Sequence, residues 1–188
     1  MPSCLIVSSL DKSLDALTKL LSSIDLKKIE CVKSAAEARV VLAKQAFDMV
    51  LINAPLSDEF GHELTLQITE NSTSGVLFLV KNELVDELSG KLTRHGVMVI
   101  GKPLNRHMFT QAVRMGLSTH QRLSQAEKEN LRLHAKVENL ELISRAKYTL
   151  MEYLNMGEAQ AHRYIEKKAM DARISKEEVA KDILKTYG

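Results

Sequence analysis

The residues of this chain that could do chemistry are few and dispersed. Its two cysteines are Cys4 and Cys31, and its six histidines are His62, His95, His107, His120, His134 and His162. None of them forms a C-x-x-C or H-x-x-x-H pair, the spacings that bring two soft ligands onto one ion, so a structural zinc site is not expected. Both cysteines lie in short apolar runs and read as reduced, buried thiols of a cytosolic protein. No nucleophile stands next to a base and no glycine-rich phosphate loop is present. An enzyme is therefore the least favoured class, and neither a metal nor a cofactor is expected. The sequence does offer cations. From residue 144 onward there are nine Lys and Arg against seven Asp and Glu, and from charge alone such a segment is by default a solvated helical face.

The elements that must position these groups follow from length and composition. At 188 residues, against roughly 150 per domain, one large or two small domains are expected. Hydrophobic residues make up 45%, enough for a packed core. Aromatics are only 4% and Trp is absent, which argues against an immunoglobulin-like sandwich and against a sheet that stacks RNA bases on rings. Eight Gly and three Pro favour long helices over many short strands. A net charge of +2 excludes a histone-like polycation. The apolar run Cys4–Val7 is too short for a secretory signal and lacks a basic flank. No stretch approaches the ~18 apolar residues of a membrane span.

Residues 1–117 alternate strand and helix. Cys4–Ser8, Lys28–Val32, Asp48–Ile52, Val76–Val80 and Val97–Ile100 read as strands. The continuous apolar runs DMVLI and VLFLV suit central parallel strands covered on both faces. Ser13–Ser22, with Leu14, Leu17, Leu20 and Leu21, has helical spacing, as do Ala35–Gln45, Gly61–Glu70 and Asn105–Leu117. This describes an α/β fold, a doubly wound five-stranded parallel sheet of flavodoxin-like type.

The register changes at Ser118. Leu123, Ala126, Asn130, Leu133, Val137 and Leu140 step by three and four, an a/d repeat over about three heptads. With Leu123, Asn130 and Val137 at a, the cross-chain pairs of a parallel dimer are Arg122–Glu127, Glu129–His134 and Lys136–Glu141. Two are opposite in charge and none is alike, and Asn130 is a polar a residue of the kind that fixes register. A homodimer through residues 118–143, seamed by Leu123, Asn130, Leu133, Val137 and Leu140, is expected. Residues 144–188 then read as a three-helix bundle. Gly157 breaks the long helix, Glu158–Arg173 forms the next, and Ser175-Lys-Glu-Glu178 is a capping box opening the last. Met151, Met156 and Met170 read as core.

The five-unit sheet with Lys102-Pro103 after its last strand resembles the receiver domain of bacterial response regulators over residues 1–117. In such a sheet ligands bind outside the carboxyl ends of the strands. The resemblance implies an acidic pair after the first strand, a phosphoacceptor Asp after the third, a hydroxyl after the fourth and a Lys after the fifth. In this sequence the acidic pair falls on Ser8 and Ser9, the acceptor on Asn53, and the hydroxyl near Val80 or Lys81; only Lys102 matches. An amide oxygen is a much poorer nucleophile than a carboxylate. Neutral hydroxyls do not replace the hard anionic oxygens Mg²⁺ needs. The resemblance therefore implies a degenerate phospho-site, a pseudo-receiver. Asp11 and Asp58 lie nearby in sequence and read as solvated or helix-capping, and Lys102 as a structural hydrogen-bond donor near Asn53.

The segment from Val137 to Leu184 resembles the ANTAR domain. The matching features are Ile143, Ala146-Lys147, Leu150-Met151, the turn Asn155-Met156-Gly157, Glu158 with Ala161, Ile165, Ala169-Met170, and Val179-Ala180 with Ile183. It departs from the pattern at Tyr148, where Gly is common, and at Gly157-Glu158, where Ser or Thr often caps. Pseudo-receiver, coiled coil and ANTAR bundle in that order resemble the amidase-operon regulators. The resemblance implies binding to paired stem-loops in nascent mRNA leaders, preventing terminator formation, without catalysis. Arg145, Lys147, Arg163 and Lys167 are then the expected RNA contacts, with Tyr148 stacking on an unpaired base. A regulatory protein that sequesters the dimer would replace the missing phosphate switch. The rival readings are a conventional response regulator acting on DNA and a dimeric scaffold without nucleic acid. No membrane contact is expected.

Overall fold

The computed structural model describes residues 2–187. The chain divides into two compact units, Met1–Gln125 and Ala126–Gly188.

The first unit is a five-stranded parallel sheet of order β2-β1-β3-β4-β5. Its strands are β1 Ser3–Ser8, β2 Lys28–Val32, β3 Met49–Asn53, β4 Gly75–Lys81 and β5 Val97–Lys102. The intervening helices are α1 Asp11–Leu21, α2 Ala35–Lys44, α3 His62–Asn71 and α4 Val85–Leu92. Alternation along the strands sorts the core into two layers. Leu5, Val7, Val50, Ile52, Val76 and Phe78 pack with Ala35 and Ala38 of α2, Leu64 and Ile68 of α3 and Leu92 of α4. Cys4, Ile6, Met49, Leu51, Leu77 and Leu79 pack with Leu14, Leu17 and Leu21 of α1 and with Phe109 and Val113 of the helix that follows β5, α5 Arg106–Leu154. Burial on both faces is why β1, β3 and β4 are apolar without a break.

Two sequence expectations change here. Cys31 is exposed, not buried. It lies on β2, the edge strand, whose other neighbour is solvent, so the apolar run around it does not entail burial. Cys4 is fully buried, and burial, then Cys31, pushes its thiol up to about 12. It therefore stays protonated at neutral pH. The second change concerns the helices read as separate at residue 117. They are one, α5 Arg106–Leu154, 49 residues long. Gly116 lies within it and does not end it. The glycine instead permits contact: a Cβ on Gly75 would lie 2.5 Å from the backbone oxygen of Gly116, and one on Gly116 would lie 2.7 Å from the Met49 sulfur. Helix and strand backbones approach where only hydrogen fits. His120, one turn on, is held by Asp48 (Nε2 to Oδ1, 3.0 Å) and the Thr73 carbonyl (Nδ1, 2.9 Å). Asp48 in turn accepts from the Ser3 backbone N–H and hydroxyl, each at 2.7 Å.

The second unit contains the end of α5, then α6 Glu158–Ala172 and α7 Lys176–Tyr187. Its core is Ala146 and Leu150 of α5, Ala161, Ile165 and Ala169 of α6, and Val179, Ala180 and Ile183 of α7. Asn155 turns the chain out of α5 at φ 52°, a left-handed conformation Asn tolerates well. The capping box of α7 is formed: Glu178 N–H donates to Ser175 Oγ (3.2 Å) and Ser175 N–H to Glu178 Oε2 (3.0 Å). Met156 and Met151 pack against the core, but Met170 is 78% exposed. Next to buried Ala169, it falls about 100° further round the helix, on the solvent side.

Candidate functional site

Parallel register brings the carboxyl ends of the strands together. Ser8 is the lateral partner of Asn53, and Val80 and Lys81 pair with Gly101 and Lys102. Asn53 is the hub. Its Nδ2 donates to Ser8 Oγ at 2.9 Å, and its Oδ1 accepts from Lys102 Nζ at 3.0 Å. Lys102 also donates to the Ala54 carbonyl. Ser8 and Val80 are fully buried, and Val80 belongs to the apolar layer, with no oxygen to offer. Ser9 donates to the Pro55 carbonyl at 3.2 Å. Partial burial, then the charge of Lys81, lowers the Lys102 pKa from its ordinary value. No buried side-chain nitrogen or oxygen among the described residues lacks a hydrogen-bond partner. The strand-end site thus holds no anion, its charges being Lys102 and the neighbouring Lys81, and its buried groups are satisfied from within.

The two nearby carboxylates are engaged elsewhere. Asp58 accepts from the backbone N–H groups of Ala35 and Ala36, each at 2.9 Å, at the start of α2. Those two bonds hold its carboxyl below the usual range. Asp11 pairs with Lys33 at 2.7 Å. Among the described residues no group of three or more His, Cys, Asp or Glu could hold a metal ion.

Along α5 the heptad stripe stays open. Leu123, Leu133, Val137 and Leu140 are each at least half exposed, and Asn130 is exposed between them.

In the bundle, the five residues of the expected basic patch divide. Arg145 and Tyr148 are three apart and both exposed, so they share a face. Lys147, two residues from Arg145, points about 200° away from it around the helix axis. Its Nζ donates to Glu158 Oε1 at 2.9 Å, with the lysine side chain only 20% exposed. Arg163 and Lys167, four apart on α6, are exposed neighbours. Residues 131–184 match the ANTAR domain family.

The chain is also similar to the transcriptional regulatory protein PdtaR of two Mycobacterium tuberculosis strains. It is 23% identical to that protein over 141 residues, covering 75% of this chain and 69% of the relative. In fold it is similar to the signal receiver domain of an HD domain-containing protein from Pseudomonas fluorescens. That likeness has a TM-score of 0.59 at 21% identity and covers 66% of this chain and 92% of that one. A response regulator receiver domain protein from Clostridium thermocellum matches with TM-score 0.59 at 13% identity, covering 65% and 99%. At these identities the structural likeness shows the fold. A receiver-type fold is thus followed in this chain by a long helix and a region that matches the ANTAR domain family.

The ANTAR region has an electrostatic division that the sequence order hides. Glu158, His162 and Glu166 lie four apart along one flank of α6. Lys147 holds Glu158 there, and Lys176 reaches Glu166 at 2.6 Å. Hydrogen bonds from those two lysines hold both carboxyls below the usual range. His162 lies 3.3 Å from Glu166. This flank neutralises itself. Arg163, Lys167 and Lys168 make no ion pair among the described residues, and Lys168 Nζ sits 5.5 Å from the Tyr164 ring centroid. Sequence reasoning missed three structural features: the Lys147–Glu158 pair, the Gly75–Gly116 contact and the His120–Asp48 clasp. A tertiary pair between residues eleven apart across a turn leaves no periodic trace.

Proposed function

We propose that this chain is an RNA-binding transcription antiterminator whose receiver fold works without phosphorylation. The observation that carries this reading is the ANTAR match over residues 131–184. The exposed cations of α6 support it, because nucleic-acid affinity comes largely from phosphate neutralisation. The target is a pair of stem-loops in a nascent mRNA leader, whose capture prevents the competing terminator. Arg145, Tyr148, Arg163 and Lys167 are the proposed contacts, while Lys147 holds the α5–α6 turn through Glu158. Two copies join along α5 through Leu123, Asn130, Leu133, Val137 and Leu140. Each then brings one bundle, and linkage raises the effective concentration of the second contact.

The strand-end network supports the pseudo-receiver part. Phosphoryl transfer needs a nucleophilic carboxylate and carboxylates for Mg²⁺. Asn53 and Ser8 are instead bonded to each other and to Lys102. The receiver then serves as a surface for a sequestering protein, and no catalytic step is assigned. The work belongs in the cytoplasm, where transcripts emerge; no helix among the described residues is long and apolar enough to cross a membrane. Single-round transcription through a leader terminator from the host, with and without purified protein, tests the reading. Read-through that rises with protein and needs no phosphodonor is expected. Unchanged termination on every leader tried would overturn it.

A further inference from the structure

We propose that the RNA is held in one groove on α6, lined by Met156, Gln160, Arg163, Tyr164 and Lys167 and extended by Lys168. The inference rests on the RNA-binding reading above and narrows it to one face. The groove is open, about 420 Å³ in volume. Its polar wall consists mostly of donors. Arg163 and Lys167 have no acidic partner among the described residues. Gln160 spends its carbonyl oxygen on the Gly157 N–H, at 3.0 Å, and so turns its amide NH₂ outward. A wall that donates and hardly accepts suits a ligand that is anionic and acceptor-rich, as phosphates and base edges are. Arg163 adds a planar fork that pairs with phosphate or stacks on a base. Met156, half-buried against the core, supplies a polarisable apolar floor.

The rest of the α6 surface lacks this character. On the far flank each lysine has an acid: Lys147 has Glu158, and Lys176 has Glu166, which His162 also approaches. Lys168 lies over the Tyr164 ring. The ring therefore acts as a wall that positions the ammonium, and its covered face is not the stacking platform. An acidic peptide would also satisfy the cations, and competition by poly-glutamate separates it from RNA.

The test uses the full chain and a pool of tandem stem-loop RNAs with randomised loops, with poly-glutamate and duplex DNA as competitors. Arg163→Ala and Lys167→Ala should each weaken retention of the pool about tenfold or more, as loss of a charged hydrogen bond does. Each should also lower the slope of affinity against salt by about one phosphate contact. Gln160→Glu keeps the oxygen that caps α6 and replaces the outward donors with an anionic oxygen; it should lose at least as much with unchanged helicity by circular dichroism. Lys181→Ala and Lys185→Ala, exposed on α7, should stay within about twofold of wild type, since an exposed charge outside the contact adds little. If wild type binds the pool and both Arg163→Ala and Lys167→Ala bind equally well with the same salt slope, the groove is wrong and the RNA reading stands. If poly-glutamate displaces the pool as readily as unlabelled RNA, the face is a general polyanion site. If wild type retains no RNA beyond the duplex control, the reading of the bundle falls, and the groove with it.

Discussion

Lys102 and Lys167 carry the same charge in opposite circumstances. Lys102 is half-buried at the end of β5, its ammonium shared between Asn53 and the Ala54 carbonyl. Lys167 stands exposed on α6 without an acid among the described residues. The first belongs to a place where each polar group already has a partner, so an incoming anion would have to displace bonds that exist. The second belongs to a face whose donors are left to solvent. A charge signals binding by being unpaired, and the two ends of this chain differ in that respect more than in composition. Both sites are built from neutral and basic side chains, yet one is closed by Ser8 and Asn53 and the other is open.

The largest effect that would break this contrast lies between the two regions. Replacing Leu133 and Val137 by Glu puts like charges into the proposed seam. Sedimentation should then report a monomer, and RNA affinity should fall about a hundredfold, the lower end of what linkage supplies. If the mass is unchanged, α5 is not the interface. If the mass halves while affinity holds, each bundle works alone.

A second test is confined to the receiver unit. Gly75→Ala places a methyl 2.5 Å from the Gly116 backbone oxygen, a contact no side-chain rotation relieves. Destabilisation of about 1–3 kcal/mol is expected from overpacking, read from chemical denaturation. RNA binding at permissive temperature should not change.

Acid should loosen the receiver unit by a smaller amount. Hydrogen bonds from Ser3 and the charge of His120 outweigh partial burial and hold Asp48 below its ordinary 3.8; backbone N–H groups do the same for Asp58. A carboxyl lowered in the folded state adds stability that is present above its unfolded value and lost as pH falls through the folded one. Urea midpoints of the receiver unit should therefore hold steady above about pH 5 and fall as the pH is taken below about 4. Asp58→Asn should flatten that dependence. An unchanged slope in the variant would mean those α2 bonds contribute nothing to it.

The smallest effect expected is none. Asn53→Asp restores the nucleophile but leaves Ser8 and Ser9 in place of the carboxylates that bind Mg²⁺. Incubation with acetyl phosphate and Mg²⁺ should give no adduct by intact mass. A stoichiometric adduct on the variant would show that the site needs only that one oxygen.

The fold was legible where periodicity carries it. Continuous apolar runs gave β3 and β4 because both faces are covered, and the Ser175–Glu178 capping box placed α7. α4, Val85–Leu92, was harder to read, since Gly90 interrupts a short stripe. Cys31 misled because the edge strand is covered incompletely: Ile29 and Cys31 share a face of β2, yet Ile29 packs against the core while Cys31 is exposed. At residue 117 the apolar stripe changes register although the helix continues, and only the packing against Gly75 reveals the use of Gly116. Of the candidate site, the meeting of Ser8, Asn53 and Lys102 follows from parallel strands ending on one edge. The separation of Lys147 from Arg145 follows from helix angle. Its pairing with Glu158 depends on how α6 folds back on α5, which no local pattern encodes.

The contrast between a closed receiver and an open RNA face is tested most directly by titrating the full chain with stem-loop RNA in the presence and absence of beryllofluoride and Mg²⁺. These mimic an acyl phosphate only where a carboxylate and a metal site exist. RNA should bind, and its dissociation constant should be the same with and without the mimic. Binding that tightens or appears only when beryllofluoride is added would contradict the closed receiver, and no binding in either condition would contradict the open face.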